Sequence, residues 1–102
     1  MHRLFAYGTL NQPAIQRQVI GRLIKGKPAR LEGYSMSSLG QGRHVYPVIV
    51  RAEGSTIDGY VLVINETELR RIDYYEGSEY KRIRVTLTNG QETWVYVARE
   101  AT

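Results

Sequence analysis

Cysteine is missing from all 102 residues, and with it go disulfides, thiolate nucleophiles and most structural zinc sites. Any chemistry must run on oxygen and nitrogen groups. No apolar run is long enough to span a bilayer, and Met1 to Leu10 lacks the extended hydrophobic region of a signal peptide. Cytoplasmic residence is therefore the expectation. Histidine is scarce: His2 and His44 lie far apart with no carboxylate at ligand spacing, so no metal is expected. Ser35, Ser37 and Ser38 lack an elbow motif, and no Gly-rich phosphate loop with its lysine occurs, which sets aside covalent and phosphoryl chemistry. The fourteen Lys and Arg give a net charge of +4 but are scattered from Arg3 to Arg99, so a solvated basic surface is expected rather than a nucleic-acid site.

What remains is an ordinary globular composition, 42% hydrophobic and 24% charged, in a chain long enough for one continuous core. Residues 1–102 are expected to form a single domain. Leu4-Phe5-Ala6-Tyr7 reads as a buried first strand that stops at Gly8. Asn11 can cap a helix with Pro13 in its first turn, and Ile15, Val19 and Ile20 recur at helical spacing before Gly21. Arg22 to Leu39 reads as one or two irregular strands, and Gly40 to Gly42 as a loop. Val48-Ile49-Val50 and Tyr60 to Ile64 read as two strands buried on both faces.

Asn65 and Glu68 have the spacing of a capping box, with Leu69 and Ile72 as the apolar stripe of a short helix ending near Gly77. Ile83, Val85 and Leu87 then alternate with polar residues, and Asn89-Gly90 offers a type I′ turn into Trp94 to Val97. This order of elements does not alternate regularly. It argues for an α+β domain with a mixed, curled sheet in which helix is the minority.

Two segments offer chemistry. The Tyr7-Gly8-Thr9-Leu10 loop runs from a strand into a helix start, which leaves backbone N–H groups without partners in a position that attracts anions. A carboxylate could be held there, with Gly8 allowing close approach; the plainer reading is a turn whose N–H groups meet water. The second is Asp73-Tyr74-Tyr75-Glu76-Gly77-Ser78-Glu79-Tyr80, dense in carboxylates and phenols at a helix C-terminus, where the dipole disfavours negative charge. Among tyrosines and buried strands Glu76 could have its pKa raised toward neutrality, as a general base needs. Alternatively Asp73 and Glu76 cap a last turn and Glu79 is a solvated loop charge. Tyr46 precedes Pro47, which restricts it to an extended shape, and the eight tyrosines are explained as half-buried sheet residues with hydroxyls reaching solvent.

Taken in order, FAYGTL, VYPVIV, IDGYVLVI, LRRIDYYEGSEYKRIRV and ETWVYV resemble the γ-glutamylcyclotransferase-like family over nearly the whole chain. The resemblance implies a mixed, barrel-like curled β-sheet with short flanking helices. It gives Tyr7, Gly8, Thr9 and Leu10 the loop that holds the glutamyl end of a small-molecule substrate, Glu76 the acid–base role, and Tyr80 and Tyr46 places on the pocket. The implied reaction closes a γ-glutamyl compound into 5-oxoproline by attack of its own α-amine, with no metal, cofactor or protein nucleophile. Family members that continue past the last strand suggest a cavity wall here that is absent or comes from a partner. A non-catalytic pocket for a small acidic metabolite is the alternative.

Overall fold

The computed structural model describes residues 1–42 and 44–99, with the side chains of Leu39, Gln41, His44 and Tyr46 outside that description. Strands β1 (His2–Ala6), β2 (Lys27–Gln41), β3 (His44–Ile64), β4 (Tyr80–Thr86) and β5 (Glu92–Ala98) form one sheet in the order β2-β3-β1-β5-β4. β1 lies at its centre, antiparallel to β3 from His2↔Ile64 to Ala6↔Tyr60 and parallel to β5 at Leu4↔Trp94. The sheet is mixed. It also curls: the amide of Thr88, in the β4–β5 turn, donates to the carbonyl of Arg30 on β2 at 3.0 Å, joining the two outer parts of the sheet.

The apolar run of β1 makes sense in this position. Leu4 and Ala6 pack with Leu62, Ile64, Leu69, Ile72 and Tyr96 on the helix side, while Phe5 joins Leu31, Ile49, Ile57, Val61 and Val95 inside the curl. Alternation thus feeds two cores from one strand. Burying Phe5 alone contributes roughly 2–3 kcal/mol against leaving it exposed.

The long ribbon of β2 and β3 departs from the sequence reading. The strand β2 runs through Gly40 to Gln41, and the two runs read as separate strands belong to one strand, β3, paired along β2. The second run is not buried on both faces either, since Tyr60 and Val63 are 44% and 45% exposed. A register shift between Glu32 and Tyr34 lets Leu31 and Tyr34, an odd number of positions apart, both turn inward.

The first helix is brief: α1 (Pro13–Ile15) passes into a π-turn over Gln16–Ile20. Pro13 occupies its first turn as expected, but Gln12 stands at the cap and the Asn11 side chain bonds elsewhere. Helix α2 (Glu66–Glu76) has the full capping box: Asn65 Oδ1 accepts from the Glu68 amide and Glu68 Oε1 from the Asn65 amide. Such a cap contributes about 1 kcal/mol. At the other end Gly77 takes φ +78° and its N–H closes onto Asp73 O at 3.1 Å.

The β4–β5 hairpin is present, with Arg84 opposite Trp94, but its turn is not type I′. That geometry needs positive φ at both central residues. Here Gly90 N–H closes the turn on Leu87 O at 2.9 Å, Gly90 has φ +87°, and no other residue type takes positive φ among the described residues. No helix among the described residues is long and apolar enough to cross a membrane.

Candidate active site

Where β1 ends, the chain keeps its alternation for one more residue, so Tyr7 packs against the core inside the curl and donates its hydroxyl to Tyr96 O at 2.7 Å. The backbone then breaks at Gly8 into a 3₁₀ turn over Thr9–Asn11. Its carbonyls are taken from within. Asn11 Nδ2 donates to Ala6 O, the Asn11 amide to Gly8 O, the Gln12 amide to Thr9 O, and Gln16 Nε2 to Leu10 O, at 2.8 to 3.1 Å. Gln16, almost fully buried, also accepts from the Ile24 amide at 2.9 Å, which locks the loop to the segment after the π-turn.

The N–H groups of Gly8, Thr9 and Leu10 precede these bonds and have no acceptor among the described residues. The loop therefore presents donors with its acceptors occupied, a favourable surface for an anion. A methyl group added at Gly8 would point toward Pro47, 4.0 Å away, across the same hollow.

Glu76 reaches this hollow from the other direction. Leu69 and Ile72 seat α2 on the helix-side core, and the next turn carries Glu76 to the cavity wall. Its carboxylate receives no hydrogen bond from the described residues. Burial first, and then the negative charge of Asp73, push its pKa up to about 7. Asp73 does not serve as a side-chain cap: its carboxylate accepts from Arg82 Nε at 2.6 Å, Arg82 Nη2 at 3.0 Å and the Tyr96 hydroxyl at 2.6 Å. Burial pushes Asp73 upward, yet these donors outweigh it and hold the carboxyl below its ordinary range.

Loop and glutamate line one cavity of about 460 Å³, with Tyr75, Glu79, Tyr80, Tyr96 and Pro47 among the other walls. The cavity unites Tyr7, Gly8, Thr9, Leu10, Glu76 and Tyr80; Tyr46 has its side chain outside the described residues, while its neighbour Pro47 lies on the wall. The Tyr80 hydroxyl donates to Pro47 O at 2.9 Å, and Thr9 Oγ1 bonds the Tyr75 hydroxyl at 2.9 Å, tying the loop to α2. Arg99 holds the 77–80 turn, its Nε on Ser78 O at 3.0 Å and Nη2 on Tyr80 O at 3.2 Å.

Sequence reasoning missed Asn11 as a loop clasp, Gln16, Tyr75 and the Asp73–Arg82–Tyr96 cluster. For Tyr96 a signal existed: a lone phenol inside the apolar run Val95 to Ala98 needs a buried partner. Its hydroxyl goes to Asp73 rather than to solvent, contrary to the general expectation for the tyrosines, and burial drives its pKa upward, as it does for Tyr7. Among the described residues no group of His, Asp and Glu is arranged to hold a metal ion.

Known proteins resemble this chain in sequence and fold. Residues 4–102 match the family model described as Gamma-glutamyl cyclotransferase, AIG2-like. The chain is 31% identical over 107 residues to Protein AIG2 C of Arabidopsis thaliana, covering 97% of this chain and 64% of that protein. It is 34% identical over 86 residues to AIG2-like protein B of the same plant, covering 83% of this chain and 49% of that one. It thus spans about half to two thirds of these relatives. A solution structure from Arabidopsis thaliana superposes with a TM-score of 0.83 at 28% identity, over 98% of this chain and 63% of the other. A gamma-glutamyl cyclotransferase structure superposes with a TM-score of 0.74 at 20% identity over 95% of this chain and 66% of its own, a likeness of fold. With a curled mixed sheet of the same kind and a family match running from its first strand onward, this chain belongs to the gamma-glutamyl cyclotransferase, AIG2-like family.

Proposed function

We propose that the protein is a cyclotransferase that releases 5-oxoproline from a γ-glutamyl compound. The observation that carries this reading is one cavity in which a carboxylate with a pKa of about 7 meets a loop of amides, neither having a hydrogen-bond partner among the described residues. The N–H groups of Gly8, Thr9 and Leu10 hold the substrate's α-carboxylate. Glu76 takes a proton from the α-ammonium, the freed amine attacks the γ-carbonyl, and a five-membered ring closes. The bond from the γ-carbon to the leaving nitrogen breaks as Glu76 returns its proton to that nitrogen; Glu76 then takes the second proton of the ring nitrogen and passes it to the departing amine, which leaves a neutral lactam and an ammonium product.

Because attack is intramolecular, the protein has only to hold the folded conformer and move the proton. A group titrating near neutral pH suits both directions of transfer. Tyr80 is assigned to the pocket wall. The leaving group is an amine rather than an amino acid in our reading: Glu76 and Glu79 make the described lining acidic, which suits a nitrogen without a carboxylate beside it.

The test is Glu76→Gln, assayed for 5-oxoproline release across γ-glutamyl amines and γ-glutamyl amino acids. Loss of turnover with binding retained supports the assignment. Undiminished turnover removes Glu76 as the base. If the parent protein binds these compounds, by thermal shift, without product over long incubation, the chain is a binding module instead.

A further inference from the structure

The proposed reaction gives Asp73, Arg82 and Tyr96 no task, yet they form the most tightly bonded polar cluster beside the cavity. Asp73 lies one helical turn before Glu76 on α2, and its donors come from two other elements, Arg82 on β4 and Tyr96 on β5. The last turn of the helix is therefore tied to both strands. Arg82 is itself fixed, with its guanidinium 4.4 Å from the centroid of the Trp94 ring. From Tyr96 the connection continues to the cavity wall, because its carbonyl accepts the Tyr7 hydroxyl.

An aspartate near a helix C-terminus opposes the dipole, so a pair serving stability alone gains little from this placement. The charge has another consequence. Glu76 faces Tyr7 from the loop after β1, Tyr80 from β4, Tyr96 from β5, Glu79 from the adjoining turn and Asp73 from its own helix. Phenols are neutral at physiological pH. Of the carboxylates, Asp73 is the one whose charge acts on Glu76.

Resting on Glu76 as the acid and base, we propose that Asp73 is a positioning residue for the reaction: clamped by Arg82 and Tyr96, it docks the last turn of α2 and keeps a fixed negative charge beside Glu76. That charge adds to burial, the larger cause, in raising the pH at which Glu76 gives up its proton. The clamp keeps Asp73 ionised throughout the range in which Glu76 titrates. Arg82 partly offsets the charge, so its removal and the removal of Asp73 act on Glu76 in opposite directions.

The experiment follows the Glu76 carboxyl by ¹³C NMR titration and records the pH profile of kcat/KM for the parent, Asp73→Asn and Arg82→Gln. The parent midpoint is expected at about 7. Asp73→Asn is expected to lower both the midpoint and the acid limb by about half a unit or more, and Arg82→Gln to raise them by a smaller amount. Midpoints that stay together while both variants slow equally would overturn the proposal and leave Asp73 a structural residue. Should Asp73→Asn not fold, the upward shift in Arg82→Gln decides alone. The NMR midpoints do not depend on turnover, so an active Glu76→Gln variant defeats the acid–base reading separately from any result on Asp73.

Discussion

Helix α2 carries a glutamate near each end, and the two are treated in opposite ways. Glu68, in the first turn, is buried and fully engaged: it accepts from the Asn65 amide at 2.9 Å and from Arg22 Nε and Nη2 at 2.6 and 3.1 Å. The Arg22 hydrogen bond leads in holding its pKa below the ordinary value. Glu76, in the last turn, has no such donors, and burial raises it to about 7. The same side chain on the same helix is an anchor at one end and, in the proposed reaction, a proton carrier at the other. Whether donors accompany the burial decides which.

The largest contrast is expected in rate. Glu76→Gln should lower kcat by roughly 10²–10⁴-fold, the usual worth of a positioned acid–base group, with no loss of thermal stability. Glu68→Gln should do the reverse, leaving kcat within a factor of two while costing about 1–3 kcal/mol in denaturant unfolding, because Arg22 loses its charged partner and one of its two acceptor oxygens. Next comes the response to pH. Glu76 has a folded pKa above its unfolded value of about 4.5, so folding is favoured by its protonation; that support is full below pH 4.5 and disappears as pH rises to about 7. For Glu68 the folded pKa is depressed, so its contribution is present above the unfolded value and is lost as pH falls through the folded one. Melting temperature against pH, compared between the parent and each Gln variant, should therefore give difference curves of opposite slope. Parallel curves would erase the distinction between the two ends. The smallest effect is expected from Asn65→Ala, about 1 kcal/mol from the lost cap, with kcat unchanged.

Much of this was legible in the chain before folding. The capping box at Asn65 and Glu68, the stop at Gly77 and the alternation of β4 depend on neighbours a few residues away, so local pattern determines them. Glu76 and the Tyr7 to Leu10 loop could be singled out for the same reason, each being odd in its own context. Their meeting in one cavity came only from the family resemblance, since it depends on β1 lying beside β5 and on α2 crossing back.

The ribbon of β2 and β3 could not be read because the register shift beyond Glu32 breaks the two-residue period that identifies strands. Asn11 was misread for a different reason. Asparagine before Pro13 fits a helix cap, and nothing local shows that the Ala6 carbonyl will lie closer to its side chain than the helix amides do. Asp73 likewise looked like a cap because Arg82 and Tyr96 reach it from strands that follow the helix.

The filled carbonyls of Ala6, Gly8, Thr9 and Leu10 impose a direction. With Ala6, Gly8, Thr9 and Leu10 oxygens already occupied, that corner can give hydrogen bonds but can hardly receive them. On the proposed reading a zwitterion entering it is sorted by polarity, its anionic group inward and its ammonium turned out toward the acidic wall, so a compound presented backwards finds no foothold.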